Sequence, residues 1–242
     1  MSDRDRLFDG PGAPAGDFVF DDRVVRVFPD MIERSVPGYG LMLQLTALLA
    51  HRHAAAGSRV YDLGCSLGGA TRAMRAAVGD RDVHFVAADS SADMVARCRS
   101  LLDEDGGSSP VDVVQGDICD LPVEDASMSV LNYTLQFLEP GLRAGLLARI
   151  ASGTRAGGIL LLTEKIRFDD SGEHRQQVEW HHDFKRARGY SELEIARKRD
   201  ALERVLRPDT GSRHIERLLE NGWSRAYRCF QAFNFAAYVA FR

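Results

Sequence analysis

The sequence predicts an α/β fold built around a mostly parallel β-sheet. Short apolar runs alternate with amphipathic helical patterns through the middle of the chain, and this alternation is typical of parallel strands covered by helices on both faces. A glycine-rich turn at residues 64–69 follows the first of these apolar runs. Two more apolar runs close the chain after its last helical pattern.

Composition limits the classes of protein that the chain can belong to. Its 242 residues, 45% of them hydrophobic, suffice for one α/β domain with an insertion. A net charge of −4 argues against a stand-alone nucleic-acid binder. The four cysteines are far apart, which argues against a zinc site or a disulfide framework and suits a reducing cytoplasm. No apolar run approaches membrane-spanning length.

Residues 1–56 are predicted to form an N-terminal arm and a helical cap. Residues 1–20 mix charged residues with glycine and proline, so we expect this arm to be ordered only where it packs on the domain. Three helical pieces follow: one opens at Asp21, a second restarts at Pro29, and a long apolar one begins after the Pro37–Gly38 turn. A substrate could bind between this cap and the glycine loop.

Residues 57–242 contain the strands. Five apolar runs precede a charged helical insertion at about 167–206, which we interpret as a lid or a dimer surface. Within it, Ser191 and Glu194 form a capping-box pattern. A helix at about 209–220 and two strands at 223–230 and 233–241 complete the chain. The five earlier strands are expected at Arg59–Leu63, Val83–Ala88, Val111–Gln115, Ser129–Tyr133 and Gly158–Thr163.

The glycine turn carries the first functional motif. Gly64 is followed by Cys65, Ser66 and Leu67 before the next glycine, so neither the dinucleotide pattern nor a P-loop is present. Asp62, two residues before Gly64, resembles the first motif of S-adenosyl-L-methionine (SAM)-dependent methyltransferases. An ordinary strand-to-helix turn is the alternative. The Asn221–Gly222 helix stop and the two strands after it are the expected close of a seven-stranded Rossmann-like methyltransferase sheet whose last strand runs antiparallel.

Polar residues stand at the ends of the next three strands, where ligands of parallel sheets bind. Asp89 is placed to accept both hydroxyls of a ribose, or else is an exposed loop residue. Asp117 with Ile118 could hold an adenine, or Asp117 could simply form a turn. Asn132 could hold the methionine portion, or could bond its own backbone.

The lid carries histidines and a run of basic residues. Adjacent histidines on a helix diverge, so we expect no metal at His181 and His182. The basic residues are interpreted as a solvated face, with an anion clamp as the alternative. They are Lys185, Arg186, Arg188, Arg197, Lys198 and Arg199.

Over nearly its whole length the chain resembles the carboxy-S-adenosyl-L-methionine (carboxy-SAM) synthases of the bacterial tRNA wobble-uridine pathway. The resemblance is most specific before the first strand and in the lid. The stretches that carry it are Val27–Ile32 with Arg34–Tyr39, Val60–Gly68, Asn132–Pro140, and His181–Ala187 with Gly189–Ile195.

The resemblance implies an enzyme with a methyltransferase fold that no longer methylates. It would convert SAM and prephenate to carboxy-SAM and phenylpyruvate, through a sulfonium ylide that captures carbon dioxide. A separate tRNA carboxymethyltransferase would use the product, so we expect no direct contact with nucleic acid and no membrane association. By the resemblance, the ligand is bound by Tyr39, Gly64, Cys65, Ser66, Asp89, Ser90, Asp117, Ile118, Asn132 and Arg199.

Tyr39 and Arg199 would hold the added carboxylate and are the implied catalytic residues. The family is dimeric, and Arg199 is expected to reach the site of the neighbouring subunit. Ser90 departs from the asparagine associated with that position, which could weaken the ribose contact. Two alternatives stay open: a conventional SAM-dependent methyltransferase acting on a small molecule or on tRNA, the latter disfavoured by the acidic charge, and a SAM-binding module without catalysis.

Overall fold

The computed structural model describes residues 3–9, 18–203 and 205–242. Two helices precede the first strand: α1 (Asp22–Ser35) and α2 (Tyr39–His53). The expected restart at Pro29 is wrong, because α1 runs through that proline. Packing of the apolar face of α1 against the glycine-loop side of the domain compensates for the missing backbone donor. Residues 10–17 of the predicted arm lie outside the described residues.

The seven-stranded sheet confirms the predicted fold. The strand order is β3-β2-β1-β4-β5-β7-β6. The first five strands are parallel, and β7 is antiparallel to both of its neighbours. The strands are Ser58–Leu63 (β1), Val83–Asp89 (β2), Val111–Gln115 (β3), Ala126–Asn132 (β4), Thr154–Lys165 (β5), Arg225–Ala232 (β6) and Phe235–Phe241 (β7).

Helices cover both faces of this sheet. They are α2, α3 (Gly69–Val78), α4 (Ala92–Asp105), α5 (Pro140–Gly153) and α8 (Gly211–Glu220). In the interior strand β5, Leu160 and Leu162 pack in one buried cluster, whereas Ile159 and Leu161 pack in another. This alternation is what a strand buried on both faces requires.

The lid consists of α6 (Ser171–Ala187) and α7 (Glu192–Glu203), inserted between β5 and α8. The predicted capping box is confirmed. The Glu194 backbone N–H donates to Ser191 Oγ at 3.2 Å, and the Ser191 N–H donates to Glu194 Oε2 at 2.8 Å. Across the ranges that the structure describes, no helix is both long enough and apolar enough to span a membrane.

Candidate active site

A cavity of about 710 Å³ opens at the carboxyl ends of the parallel strands, between the cap and the lid. Its volume lies in the range of pockets that hold small molecules. Nine of the ten site residues named from the sequence line it, and only Arg199 does not. The nine are Tyr39, Gly64, Cys65, Ser66, Asp89, Ser90, Asp117, Ile118 and Asn132.

The glycine loop allows close backbone approach at the floor of the cavity. Gly64 has φ +85°, and a Cβ there would lie 2.3 Å from Thr134 Oγ1, so no larger residue fits without a shift. Gly68 caps α3 in the left-handed region. A Cβ on Gly69 would lie 2.9 Å from the Tyr39 hydroxyl oxygen. Tyr39 therefore reaches from the cap to the start of α3, where backbone N–H groups favour anions.

Asp89 anchors the loop as well as facing the cavity. One carboxylate oxygen accepts from the Ser66 N–H at 2.8 Å, and the other accepts from the Ser91 N–H at 2.9 Å. Each oxygen retains a lone pair for a further donor. The carboxylate is therefore fixed at the end of β2, where a ribose contact was expected. Ser90 beside it is exposed and also lines the cavity.

Asp117 combines the two interpretations that the sequence left open. Its Oδ1 accepts from the Cys119 N–H at 2.7 Å, which is the turn-forming interaction. The residue nevertheless lines the cavity together with the buried Ile118. The turn thus holds this acidic side chain at the rim beyond β3.

Asn132 and Tyr133 present polar atoms that lack partners. Asn132 Oδ1 and the Tyr133 hydroxyl are buried and make no hydrogen bond to any of the described residues, and both residues line the cavity. Buried polar atoms are rarely left unpaired, so both are available to a ligand. Tyr133 is not among the site residues predicted from the sequence. Its left-handed backbone, φ +59°, carries no sequence signal that we could read.

Asp62 lies at the end of β1 beneath the loop. Its Oδ2 accepts from the Thr71 N–H at 3.0 Å and from the Thr71 hydroxyl at 2.6 Å. Burial raises the pKa of Asp62 to about 6, although these hydrogen bonds oppose the shift. The adjacent Cys98 thiol and burial raise the pKa of the Cys65 thiol, so Cys65 is not an activated nucleophile.

The lid contributes residues that the sequence analysis assigned wrongly. Lys185 and Lys198 were expected on a solvated face, but they are 5% and 3% exposed and line the cavity. Lys165, at the end of β5, lines it as well. Lys185 follows the buried His181 by one helical turn, and this spacing was the available signal for a shared inward face.

A polar network holds the lid against the cap. Lys198 Nζ lies 3.1 Å from Asp5 Oδ2 and 2.9 Å from Ser35 Oγ, and the Tyr190 hydroxyl also donates to Asp5. The Arg34 guanidinium donates to the Arg188 carbonyl at 2.8 Å. The N-terminal segment 3–9 is therefore ordered by packing between α1 and the lid.

Arg199 does not line the cavity of its own chain. Its side chain is 48% exposed, and its guanidinium contacts Asp200 at 2.9 Å. The expected role of Arg199 in a neighbouring subunit stays a prediction. Within the described residues, no group of three or more histidine, cysteine or acidic side chains is placed to hold a metal ion.

Comparison with known proteins defines the class. A family model described as a methyltransferase domain matches residues 60–158. An O-methyltransferase family protein from Burkholderia thailandensis superposes with a TM-score of 0.65 at 14% identity, over 92% of this chain and 60% of the other. The SAM-dependent methyltransferase SibL gives 0.62 at 16% identity, over 100% and 63%. The fold is thus that of the SAM-dependent methyltransferases.

Two curated relatives define the family. A carboxy-S-adenosyl-L-methionine synthase from Photobacterium profundum is 49% identical over 242 residues, covering 100% of this chain and 99% of the relative. Another from Geobacter sp. (strain M21) is 50% identical over 239 residues, covering 98% of each. The chain belongs to the carboxy-S-adenosyl-L-methionine synthase family and is an enzyme of the transferase class.

Proposed function

We propose that this enzyme converts SAM and prephenate to carboxy-SAM and phenylpyruvate. One observation carries the proposal: nine residues expected to bind SAM line a single cavity in a chain half identical to carboxy-SAM synthases. Carboxy-SAM would then serve a tRNA carboxymethyltransferase that modifies the wobble uridine. The enzyme would act in the cytoplasm without binding nucleic acid itself.

The proposed binding mode follows the order of strand ends across the sheet. Asp89 at the end of β2 accepts the ribose hydroxyls, and Asp117 with Ile118 beyond β3 holds the adenine. Asn132 at the end of β4 receives the methionine portion, because its Oδ1 is buried without a partner among the described residues. The sulfonium then lies above Asp62 and Gly64.

The proposed chemistry conserves atoms and charge. Prephenate breaks its ring–carboxylate bond and loses its hydroxyl as hydroxide, so that the ring becomes aromatic and carbon dioxide is released. The hydroxide removes a proton from the methyl group of the sulfonium, forming water and a sulfonium ylide. The ylide carbon then forms a bond to carbon dioxide, giving carboxy-SAM. Phenylpyruvate is the other product.

The enzyme's part in this sequence is to position two substrates and exclude water. Burial raises the pKa of Tyr39, so its phenol stays protonated and can donate a hydrogen bond to the new carboxylate. A carboxylate held in this way also distinguishes carboxy-SAM from SAM. Tyr39 packs against the start of α3, where the helix N-terminus favours the same negative charge.

We propose a homodimer in which Arg199 completes the neighbouring site. The Arg199 side chain is 48% exposed, pairs with Asp200, and does not line the cavity of its own chain. Trp180 and Leu193, on the same two lid helices, are 44% and 54% exposed and would give that contact apolar area. Arginine binds carboxylates bidentately, which suits a second contact to the added group.

Isotope tracing tests the reaction directly. SAM with a deuterated S-methyl group is incubated with the enzyme and with prephenate carrying ¹³C in the ring carboxylate. We expect a product that retains the adenosyl group, gains the ¹³C and loses a single deuterium. Formation of S-adenosylhomocysteine without prephenate would instead support a conventional methyltransferase, and binding of SAM with no product of either kind would support a non-catalytic module.

Mixed dimers test the role of Arg199. Arg199→Ala and Asp89→Ala should each be inactive alone. If Arg199 acts across the interface, a mixed dimer has one intact site, so mixing the two variants should restore part of the activity. If mixing restores nothing while native mass spectrometry shows mixed dimers, the proposed role in the neighbouring site is wrong.

A further inference from the structure

All three lysines of this chain line one cavity. Only three of its 31 basic residues are lysines, at positions 165, 185 and 198, and the rest are arginines. Arginine serves both exposed ion pairs, such as that of Arg155 with Asp125, and buried positions, such as Arg143 and Arg217. Lysine offers a compact ammonium whose pKa can shift, which arginine does not. The cavity is therefore the place where this chain has an ammonium group whose pKa can shift.

Lys198 already has a counter-charge. Its Nζ is bonded to the Asp5 carboxylate, to Ser35 and to Tyr190, so its three donors are used within the network that holds the lid. Lys198 is a structural residue of the cavity wall. The segment that carries Asp5 covers it from the outside, since both side chains are almost fully buried.

Lys185 differs from Lys198 in having no such partner. It is 5% exposed and lines the cavity, yet its ammonium makes no salt bridge or hydrogen bond to any residue in the described parts of the chain. An unpaired buried ammonium is costly. A methionine would fill the same space without this cost, so packing alone does not account for a lysine here.

The charges around Lys185 leave the lid end of the cavity positive. Burial, together with Lys198 on α7 and Lys165 on β5, lowers the pKa of Lys185 to about 7, and Asp5 is the one charge that opposes this shift. His181 on the same helix donates from Nε2 to the Ser35 carbonyl at 2.8 Å and is held neutral, because burial keeps its pKa well below the usual value. The carboxylate of Asp5 is shared with Lys198, so a net positive charge faces the cavity.

We propose that Lys185 is the carboxylate anchor for the second substrate of this enzyme. The proposal rests on the function proposed above, which brings an organic dianion to a site whose strand-end face is acidic. The acidic end, with Asp62, Asp89 and Asp117, suits the sulfonium and the nucleoside. The lid end is where a carboxylate gains a counter-charge. Lys185 thus touches substrate and orients prephenate towards the sulfonium methyl.

Two carboxylates could use this anchor, and binding measurements separate them. Lys185→Met removes the charge at nearly constant volume. We expect it to weaken prephenate binding to the enzyme loaded with S-adenosylhomocysteine, which has no S-methyl group to react, by at least tenfold in titration calorimetry, a typical effect for a desolvated charge contact. The affinity for SAM alone should be unchanged. An equal loss for SAM would assign the anchor to the methionine carboxylate and overturn the proposal.

Two further variants make this result interpretable. Arg175→Met removes an exposed cation from the same helix and should leave prephenate binding unchanged. Lys185→Arg keeps the charge and should restore part of the binding. Thermal unfolding of Lys185→Met should show a melting temperature no lower than that of the unmodified enzyme, because an unpaired buried charge has been removed. A lower melting temperature together with unchanged prephenate binding would mean that Lys185 is structural, and the proposal would fail.

The scarcity of lysine allows a direct readout that needs no turnover. Protein labelled with ¹³C at lysine Cε gives three side-chain signals, assignable with one variant for each lysine. Prephenate should raise the pKa of Lys185 and leave that of Lys198 almost unchanged. If Lys185 responds but no carboxy-SAM forms, the anchor stands and the proposed reaction fails. If carboxy-SAM forms while Lys185 does not respond to prephenate, the anchor is wrong.

Discussion

The two ends of the cavity are built from opposite charges and by different means. At the strand-end side, burial raises the pKa of Asp62 to about 6. At the lid side, burial lowers the pKa values of Lys185 and Lys198 to about 7 and about 8. Each end holds charged groups that desolvation penalises in the free enzyme. Each therefore favours a ligand of opposite sign, a sulfonium at one end and carboxylates at the other.

The two ends also differ in what fixes their geometry. The acidic end is held by the backbone: the loop N–H of Ser66 orients Asp89, and the start of α3 orients Asp62. The lid end, which is the basic end of the cavity, is held by contacts among three distant parts of the chain, namely segment 3–9, α1 and the lid. Local backbone geometry should resist mutation of neighbouring side chains, whereas the lid end should depend on single contacts.

The largest expected effect follows from the buried pair at the lid end. Lys198→Met removes the counter-charge of the buried Asp5 carboxylate, so we expect the free energy of unfolding to fall by about 3–5 kcal/mol. Asp5→Asn should cost a similar amount. The double variant should lose less than the sum of the two single variants, because the pair acts as a unit. Urea unfolding of all four proteins measures this difference.

A surface ion pair on the same lid provides the control. Asp183→Asn removes the contact between Asp183 and Arg186, whose side chains are 65% and 43% exposed. Pairs of this kind contribute about 0–1 kcal/mol, so unfolding should hardly change. Comparable losses for Asp183→Asn and Lys198→Met would show that the buried network does not hold the lid.

Substitution of Gly64 tests the acidic end of the cavity. Gly64→Ala places a Cβ 2.3 Å from Thr134 Oγ1 at φ +85°. Strain in the left-handed region and overpacking together should lower the free energy of unfolding by about 2–4 kcal/mol, and SAM binding should be lost. Calorimetric titration with SAM and urea unfolding measure both effects.

Gly116 is the matched control, because it also lines the cavity but a Cβ there meets no atom within 4 Å. Gly116→Ala should change stability by less than about 1 kcal/mol. If both glycine variants behave alike, loss of flexibility and not the contact with Thr134 explains the result.

The sequence predicted the acidic end well and the basic end poorly. Asp62, Gly64, Asp89 and Asn132 are recognisable because each follows an apolar run, and the ends of parallel strands meet at one edge of a sheet. The fold was predictable for the same reason. The first residues of β4 and β5 were not predictable, since both strands begin several residues earlier than their apolar cores suggest. Burial within a sheet extends past the residues whose hydrophobicity reveals it.

The lysines were missed for a different physical reason. The burial of Lys198 depends on Asp5 and Ser35, which are far from it in sequence and contact it only in the folded chain. Alternation and helical spacing report which face of an element is apolar, and they contain no information about long-range pairing of charges. A run of basic residues in a polar helix therefore looked like a solvated surface.

Replacement of Asp62 is expected to have a smaller effect, which is a change in how SAM affinity depends on pH. Since its folded pKa is raised above 3.8 to about 6, Asp62 lowers the stability of the free enzyme as pH rises through that window. A bound sulfonium favours the ionised form, so SAM affinity should increase as pH rises to about 6 and be level above it. Asp62→Asn should abolish this dependence and weaken SAM binding about tenfold at neutral pH. Titration calorimetry across this range measures it, and an unchanged pH profile in the variant would exclude Asp62 as the titrating group.

The smallest expected effect comes from removing a single helix cap, and it tests whether the two ends of the cavity bind their ligands independently. Ser191→Ala removes the cap of α7, and Thr210→Ala removes the equivalent cap of α8, which lies outside the lid. Each should lower the free energy of unfolding by about 1 kcal/mol. Only Ser191→Ala frays the helix that carries Lys198, so it alone should raise the KM for prephenate, by a few-fold, while the Kd of SAM stays constant. If Thr210→Ala raises the KM for prephenate equally, global stability and not the order of the lid controls prephenate binding. If Ser191→Ala weakens SAM binding as much as prephenate binding, the two ends are not independent.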